Sequence, residues 1–149
     1  MPAFAPQDEN FEARVRSSFA RQRLMETIGA ELTRVAAGEV EIALPFREDL
    51  TQQHGYLHAG VVTSIVDSAC GYAALSLTPA DAEVLSVEYK INLLSPARGE
   101  RMIARGRVVR AGRNLTVCLG DVFAVNDGRE KLVATMLATM MTVSEVNSE

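Results

Sequence analysis

The spacing of apolar residues changes period along the chain, and each change predicts an element. Phe11, Val15 and Phe19 recur every four residues; Glu9 and Glu12 lie in the first turn, Arg21 and Arg23 near the last, and Gly29 supplies a stop. This predicts an N-terminal helix over residues 9–28, with its arginines as a solvated face, after a loose tail (1–8) marked by Pro2 and Pro6. Two short strand-like runs follow, Glu31–Ala36 and Glu39–Pro45, separated by Gly38; in the second, Val40, Ile42 and Leu44 alternate with Glu39, Glu41 and Ala43. Residues 46–58 read as a polar loop. The next nineteen positions, Ala59 to Leu77, are apolar or small on nearly every face and predict a buried helix.

Past Pro79 the period becomes two. Leu85, Val87, Tyr89, Ile91 and Leu93 alternate with Ser86, Glu88, Lys90 and Asn92. Further strands are expected at Met102–Arg110, Leu115–Val125 and Leu132–Val143, turned by Pro96–Gly99, by Ala111–Asn114 and by an Asn126-Asp127-Gly128 hairpin. The last strand is apolar on both faces, so a cover is expected on each side. Two strands, a buried helix and four strands joined mostly by hairpins imply an α+β domain, an antiparallel sheet of about six strands with a helix against one face. Where sheet and helix approach, small residues are needed; Ala59, Gly60, Ala69, Gly71, Ala73 and Ala74 supply them.

Composition narrows the class. A length of 149 residues, 48% apolar and 23% charged, suits one globular domain, and no repeat or linker divides residues 9–149. Tryptophan is absent and aromatics are few, so Val, Leu, Ile, Ala and Met build the core; Met136, Met140 and Met141 read as core or interface filler. A net charge of −4 argues against a nucleic-acid partner. The first nine residues lack the basic-then-apolar pattern of a secretory leader. The 59–77 run is marginal for a membrane span, and Asp67 at its middle would cost at least ~2.5 kcal/mol to insert. No membrane association is expected. Cys70 and Cys118 sit among apolar residues without a basic neighbour, as buried thiols of a reducing cytoplasm would.

Asp67 is the single charge in that apolar run. A buried carboxylate needs a partner, a hydrogen bond or a raised pKa, so it is a candidate for chemistry as well as for structure. Just ahead of the helix stand Gln52, Gln53, His54, Gly55, Tyr56, Leu57 and His58. Free amides at the helix start, near Ala59 and Gly60, suit a substrate oxygen that gains negative charge. Asp67 lies roughly 12 Å further along the axis at 1.5 Å per residue. Either the two ends serve different tasks, or a dimer brings one subunit's Asp67 to the other's helix start.

The motif Gln52-x5-His58-Ala59-Gly60-x6-Asp67, followed by Ser86-Val87-Glu88-Tyr89-x3-Leu93-Leu94-Ser95-Pro96-Ala97, resembles the hotdog-fold acyl-CoA thioesterases. More narrowly, it is similar to their phenylacetate-degradation (PaaI-like) branch, over about residues 40 to 143. The resemblance implies a hotdog fold, a curled sheet wrapped around the central helix, with active sites built across a dimer or a dimer of dimers. It implies hydrolysis of acyl-CoA, with coenzyme A part of the substrate and no cofactor. By position, Asp67 matches the nucleophile or general base and Ala59 the residue whose N–H polarises the carbonyl. His58 matches the histidine that opens the helix, Gln52 the residue that holds water or carbonyl, and Ser86 the assisting hydroxyl. The usual first glycine of the family's His-Gly-Gly is Ala59 here, which keeps the N–H but would be strained at positive φ.

Other candidates follow from their setting. Tyr56, Leu57, Tyr72 and Leu75 are expected to line an acyl pocket for an aryl or medium aliphatic group. From Arg98 to Arg113 six arginines accompany one glutamate, either a solvated strand face or a phosphate site; Arg110 and Arg113, flanking the Gly112 turn, are the candidates for coenzyme A. His54 and His58 are four apart, but no third ligand accompanies them and no metal is expected. Asp49-x4-His54 has the spacing of hotdog enoyl-CoA hydratases but lacks their intervening Asn-Pro. A non-catalytic acyl-CoA sensor is disfavoured, because the residues ahead of the fold hold one helix and no helix-turn-helix pair.

Overall fold

The computed structural model describes residues 4–144. The uncharged run after His58 forms the central helix, called α3 here (Ala59–Leu75), preceded by α1 (Phe11–Arg21) and α2 (Arg23–Ile28). Six strands, β1 (Glu31–Ala36), β2 (Glu39–Pro45), β3 (Ala82–Leu93), β4 (Arg101–Ala111), β5 (Leu115–Asn126) and β6 (Arg129–Ser144), make one antiparallel sheet in the order β1-β2-β4-β5-β6-β3. The sheet curls around α3, the hotdog arrangement that the resemblance implies. The β5–β6 hairpin turns at Asp127 (φ 50°) and Gly128 (φ 74°), the paired positive φ angles of a type I′ turn.

Helix and sheet meet most closely at two strand glycines, and these were not among the small residues expected to do so. Gly106 of β4 pairs with Gly120 of β5, and both face α3. A Cβ on Gly106 would lie 2.4 Å from the Ala69 carbonyl carbon, and one on Gly120 would lie 2.5 Å from Val66 Cγ2. Val66, Ala69 and Cys70 are the helix side of the contact, all fully buried. Gly71 is not part of it, since a Cβ there would meet nothing within 4 Å.

The period-two run in β3 is broken by a bulge between Ser86 and Glu88. Directly paired residues of antiparallel strands share a face. Leu85 pairs with the exposed Met141, whereas Ser86 pairs with the buried Met140 on the helix side. Beyond the bulge Tyr89 and Ile91 pair with the buried Ala138 and Met136. Simple alternation would have set Ser86 opposite Tyr89 and Ile91. The bulge puts all three on the helix side.

β3 is a sheet edge, with no strand beyond it among the described residues. Leu85, Val87, Tyr89 and Leu93 along it are about half exposed. On β6 the helix side is buried through Ala134, Met136, Ala138 and Met140, but Leu137 (53% exposed) and Met141 on the other face lie open. The cover expected for that face does not come from the described residues of this chain.

The N-terminal segment departs from the single expected helix. It starts at Phe11 and breaks at Gln22, whose backbone is extended (φ −79°, ψ 99°), so that Val15 and then Met25 and Ile28 reach the core. Arg16 and Arg21 are solvated, but Arg14 is not. Its guanidinium donates to the carbonyls of Leu75 (3.2 Å), Thr78 (2.9 Å) and Ala82 (3.1 Å) and pairs with Asp8 at 3.0 Å. A cation on the last carbonyls of α3 also complements the helix dipole. Residues 4–8 of the supposed loose tail are held as well: Phe4 packs on the core, and Gln7 Nε2 donates to the Leu77 carbonyl at 2.8 Å. Residues 1–3 lie outside the described range.

Gly106→Ala drives a Cβ into the α3 backbone, which has no side-chain end to yield. Denaturant unfolding is expected to show a loss of about 3 kcal/mol, the upper end for overpacking. A loss below ~1 kcal/mol would show that the helix can retreat.

Candidate active site

The residues singled out by sequence gather in two clefts, one at each end of a stretch of α3. The first surrounds the helix start. It has a volume of about 600 Å³ and is lined by Gln52, Tyr56, Leu57, His58 and Ala59 with Val62, Leu93, Leu94 and Pro96. His58 caps α3 with its side chain: Nδ1 accepts the Gly60 N–H at 2.8 Å. An accepting Nδ1 leaves the ring proton of the neutral imidazole on Nε2. The cap also occupies Gly60's amide, so of the two amides expected to face a substrate oxygen only Ala59's stays open. Ala59 takes the first position of the helix, where the backbone needs no positive φ, so alanine is unstrained there. Gln52 opens a tight loop in which its Oε1 accepts the His54 N–H, leaving its NH2 group unengaged.

The second cleft, about 210 Å³, holds Asp67 and Ser86 with Ser18, Gln22, Ser68, Tyr72 and Leu75. Ser86 Oγ donates to Asp67 Oδ1 at 2.7 Å and also contacts Met140 Sδ at 3.2 Å. Burial pushes the Asp67 carboxyl above its ordinary range, and the Ser86 hydrogen bond offsets part of that rise. Ser86, which any polar strand face would contain, is thus placed beside the carboxylate by the β3 bulge. Tyr72, expected beside Tyr56 and Leu57, lies instead in this cleft, as does Leu75. Gln22, Ser18 and Ser68 carried no signal in the sequence. Gln22 and Ser18 belong to a segment outside the motif, and their partners, Ser68 and Tyr72, are distant in the chain.

Within one subunit the two clefts share no lining residue, so Ala59 and Asp67 do not meet there. The remaining candidates lie elsewhere. Gly112 and Arg113 line a cavity of about 450 Å³ with Thr78 and Pro79 past the end of α3. Neither Arg110 nor Arg113 forms an ion pair among the described residues, whereas Arg105 is held between Glu41 (2.8 Å) and Glu130 (2.7 Å). Asp49 is paired with Arg47 at 2.7 Å on the surface, and His54 faces a different cavity, so the hydratase-like spacing forms no dyad. Among the described residues no three His, Cys, Asp or Glu side chains converge as metal ligands. Cys70 and Cys118 are free and buried; burial pushes the Cys118 thiol up to about 12 and Cys70 higher still, which disfavours thiolate chemistry. No helix among them is long and apolar enough to cross a membrane.

Comparison with known proteins agrees with the fold. Residues 54–131 match the family model of the thioesterase superfamily, and the chain belongs to that superfamily of thioester hydrolases. A thioesterase family protein from Silicibacter pomeroyi is 50% identical with a TM-score of 0.89, covering 91% of this chain and 99% of that one. An esterase-family protein of Saccharolobus solfataricus is 35% identical over 87% of this chain and 83% of its own length. Human acyl-coenzyme A thioesterase 13 is 29% identical over 78% of this chain and 84% of its own. The Escherichia coli PaaI protein, at 16% identity, shares the fold with a TM-score of 0.82 over 93% of this chain and 96% of that one.

A raised pKa means that the folded state holds the Asp67 proton more tightly than the unfolded chain does. Ionised Asp67 therefore destabilises the fold. The penalty is absent below the ordinary value of 3.8 and grows as pH rises through the elevated folded value. Asp67→Asn is expected to melt above the wild type near pH 7, with the gap closing as pH falls to about 4. Thermal unfolding across this range checks it; a variant melting below the wild type at neutral pH would contradict the assigned burial.

Proposed function

We propose that this protein hydrolyses acyl-CoA thioesters to the free acid and coenzyme A, in active sites that two subunits share. The observation that carries the reading is that one helix presents an open amide at Ala59 and a half-buried carboxylate at Asp67 in separate clefts, next to an unpaired apolar edge at β3. Pairing of two β3 edges would continue the sheet, cover Leu85, Val87 and Tyr89, and bring one subunit's Asp67 to the other's helix start. A second layer of association through the open face of β6, giving a dimer of dimers, fits the exposure of Leu137 and Met141.

In the shared site the Ala59 N–H donates to the thioester oxygen as it gains charge, helped by the positive end of α3. His58 keeps that end open by capping Gly60 and offers its own Nε2–H. Asp67 attacks the carbonyl or takes the proton of the attacking water, and its raised pKa suits a base working near neutral pH. Ser86 orients the carboxylate, and the free NH2 of Gln52 holds the carbonyl or the water. Tyr56 and Leu57 wall the path of the pantetheine arm, and Tyr72 and Leu75 the acyl side. Arg110 and Arg113, which form no ion pair among the described residues, take the coenzyme phosphates. No cofactor enters this chemistry. A reducing cytoplasm suits both the substrate and the two free thiols.

Release of free thiol from acyl-CoA tests the reading. Asp67→Asn is expected to fold and to lose about 10³-fold or more in turnover. Ala59→Pro removes the N–H at a helix position that accepts proline, after a His58 already extended (φ −60°, ψ 138°), and is expected to lose on the order of 10²-fold. If the site is shared, mixing and reassociating the two inactive variants restores about a quarter of wild-type activity, since half the dimers are mixed and each regains one site. No recovery would place the site within one subunit. Wild-type rates in Asp67→Asn would sink the mechanism.

Arg113→Ala is expected to raise KM for acyl-CoA about tenfold while kcat changes little, the pattern of lost binding that is equal in ground and transition states. An unchanged KM would return Arg113 to the solvated strand face.

A further inference from the structure

The segment 10–28 adds no strand to the sheet, yet it is anchored firmly and at one place. Arg14 fastens α1 to the end of α3 through three main-chain carbonyls, and Phe19 packs edge-on to Tyr72 with ring centroids 5.9 Å apart. This anchoring carries the helix break at Gln22 over the cleft that contains Asp67. Ser68, the neighbour of Asp67, donates its hydroxyl to Gln22 Oε1 at 3.0 Å, and Ser18 donates to Tyr72 Oη at 3.3 Å. Gln22 thus lies in the wall of the Asp67 cleft with its side chain held by α3.

The two clefts differ in a way that assigns the ends of a thioester. The larger, about 600 Å³ and lined by Tyr56, Leu57, Val62 and Leu93, has room for a long, flexible arm. The smaller, about 210 Å³, lies on the carboxylate side of the reacting carbonyl. The coenzyme arm must leave by the first, and the acyl group is left with the second. From this we infer that Gln22 closes the acyl end of the site and sets the length of acyl group accepted. The N-terminal helices are then a wall of the active site. The inference rests on the acyl-CoA thioesterase reading and extends it to a specificity-determining residue.

Thiol release is measured for the wild type, Gln22→Ala and Gln22→Asn over straight-chain acyl-CoAs from acetyl to lauroyl, with thermal melting as the folding control. The wild type should lose kcat/KM steeply beyond a short chain. Gln22→Ala should move that cut-off two to four carbons longer, gaining about tenfold or more on chains just past it while acetyl-CoA changes less than about threefold. Gln22→Asn, one methylene shorter and still able to accept from Ser68, should shift the cut-off by a smaller step and decides the matter if Gln22→Ala fails to fold. An unshifted cut-off, or an equal fall at every chain length, overturns the inference and leaves the thioesterase reading intact. Absence of turnover on every acyl-CoA by the wild type overturns both.

Discussion

The separation between the helix start and the carboxylate depends on how tightly α3 is pressed into the sheet. Gly106 lets the helix backbone come within reach of β4 that no side chain would allow, and its pair Gly120 leaves room on β5 for the Val66 and Cys70 side chains of the helix. A helix seated on backbone cannot slide or roll by the fraction of a turn that a softer, side-chain contact would permit. Ala59 and Asp67 are therefore held about eight residues apart on a rigid rod, roughly 12 Å at 1.5 Å per residue. No small acyl carbonyl spans that gap, so the rigidity that makes the core also keeps the two groups of the proposed site apart within a single chain.

The environment of Asp67 follows from the same geometry. A carboxylate on the helix flank facing β3 is partly withdrawn from water and pairs with no cation among the described residues, so burial raises its pKa, and Ser86 is its side-chain partner. Placing that hydroxyl required breaking the alternation of β3. The strand gives up one regular pairing at the bulge so that Ser86 and the apolar Ile91 can share the helix side. Local irregularity next to a site is commonly a device for aiming a side chain, and here the aimed side chain is Ser86.

Much of this was legible in the residues. Element type and order follow from the two hydrophobic periods, the Asn126–Gly128 turn from its requirement for positive φ, and the two-ended helix from one charge in an apolar run beside a His-Ala-Gly start. What could not be read depended on partners far along the chain. Arg14 looks like any helix arginine until the carbonyls of Leu75 and Thr78, 61 and 64 residues away, are known to lie under it. Gln22 looks like surface until Ser68, 46 residues on, is found against it. Gly106 sits between two arginines in a strand, where nothing local distinguishes a close approach from a weak strand position. The apolar outer face of β6 was visible, but not whether its cover belongs to this chain or to another.

That last ambiguity has a physical root. A sheet edge and an apolar face are each incomplete surfaces, and sequence pattern records the incompleteness without naming the neighbour. In this chain the incompleteness and the chemistry coincide: the unpaired edge is the strand that carries Ser86, and the half-exposed Tyr89 and Leu93 lie on the helix side of that strand, where a second subunit's helix start would be received. For the proposed shared site, association and catalysis would be one equilibrium. Each kcal/mol of apolar burial in the proposed pairing of β3 edges would stabilise the assembled site as well as the dimer, since within one subunit the amide and the carboxylate lie in separate clefts.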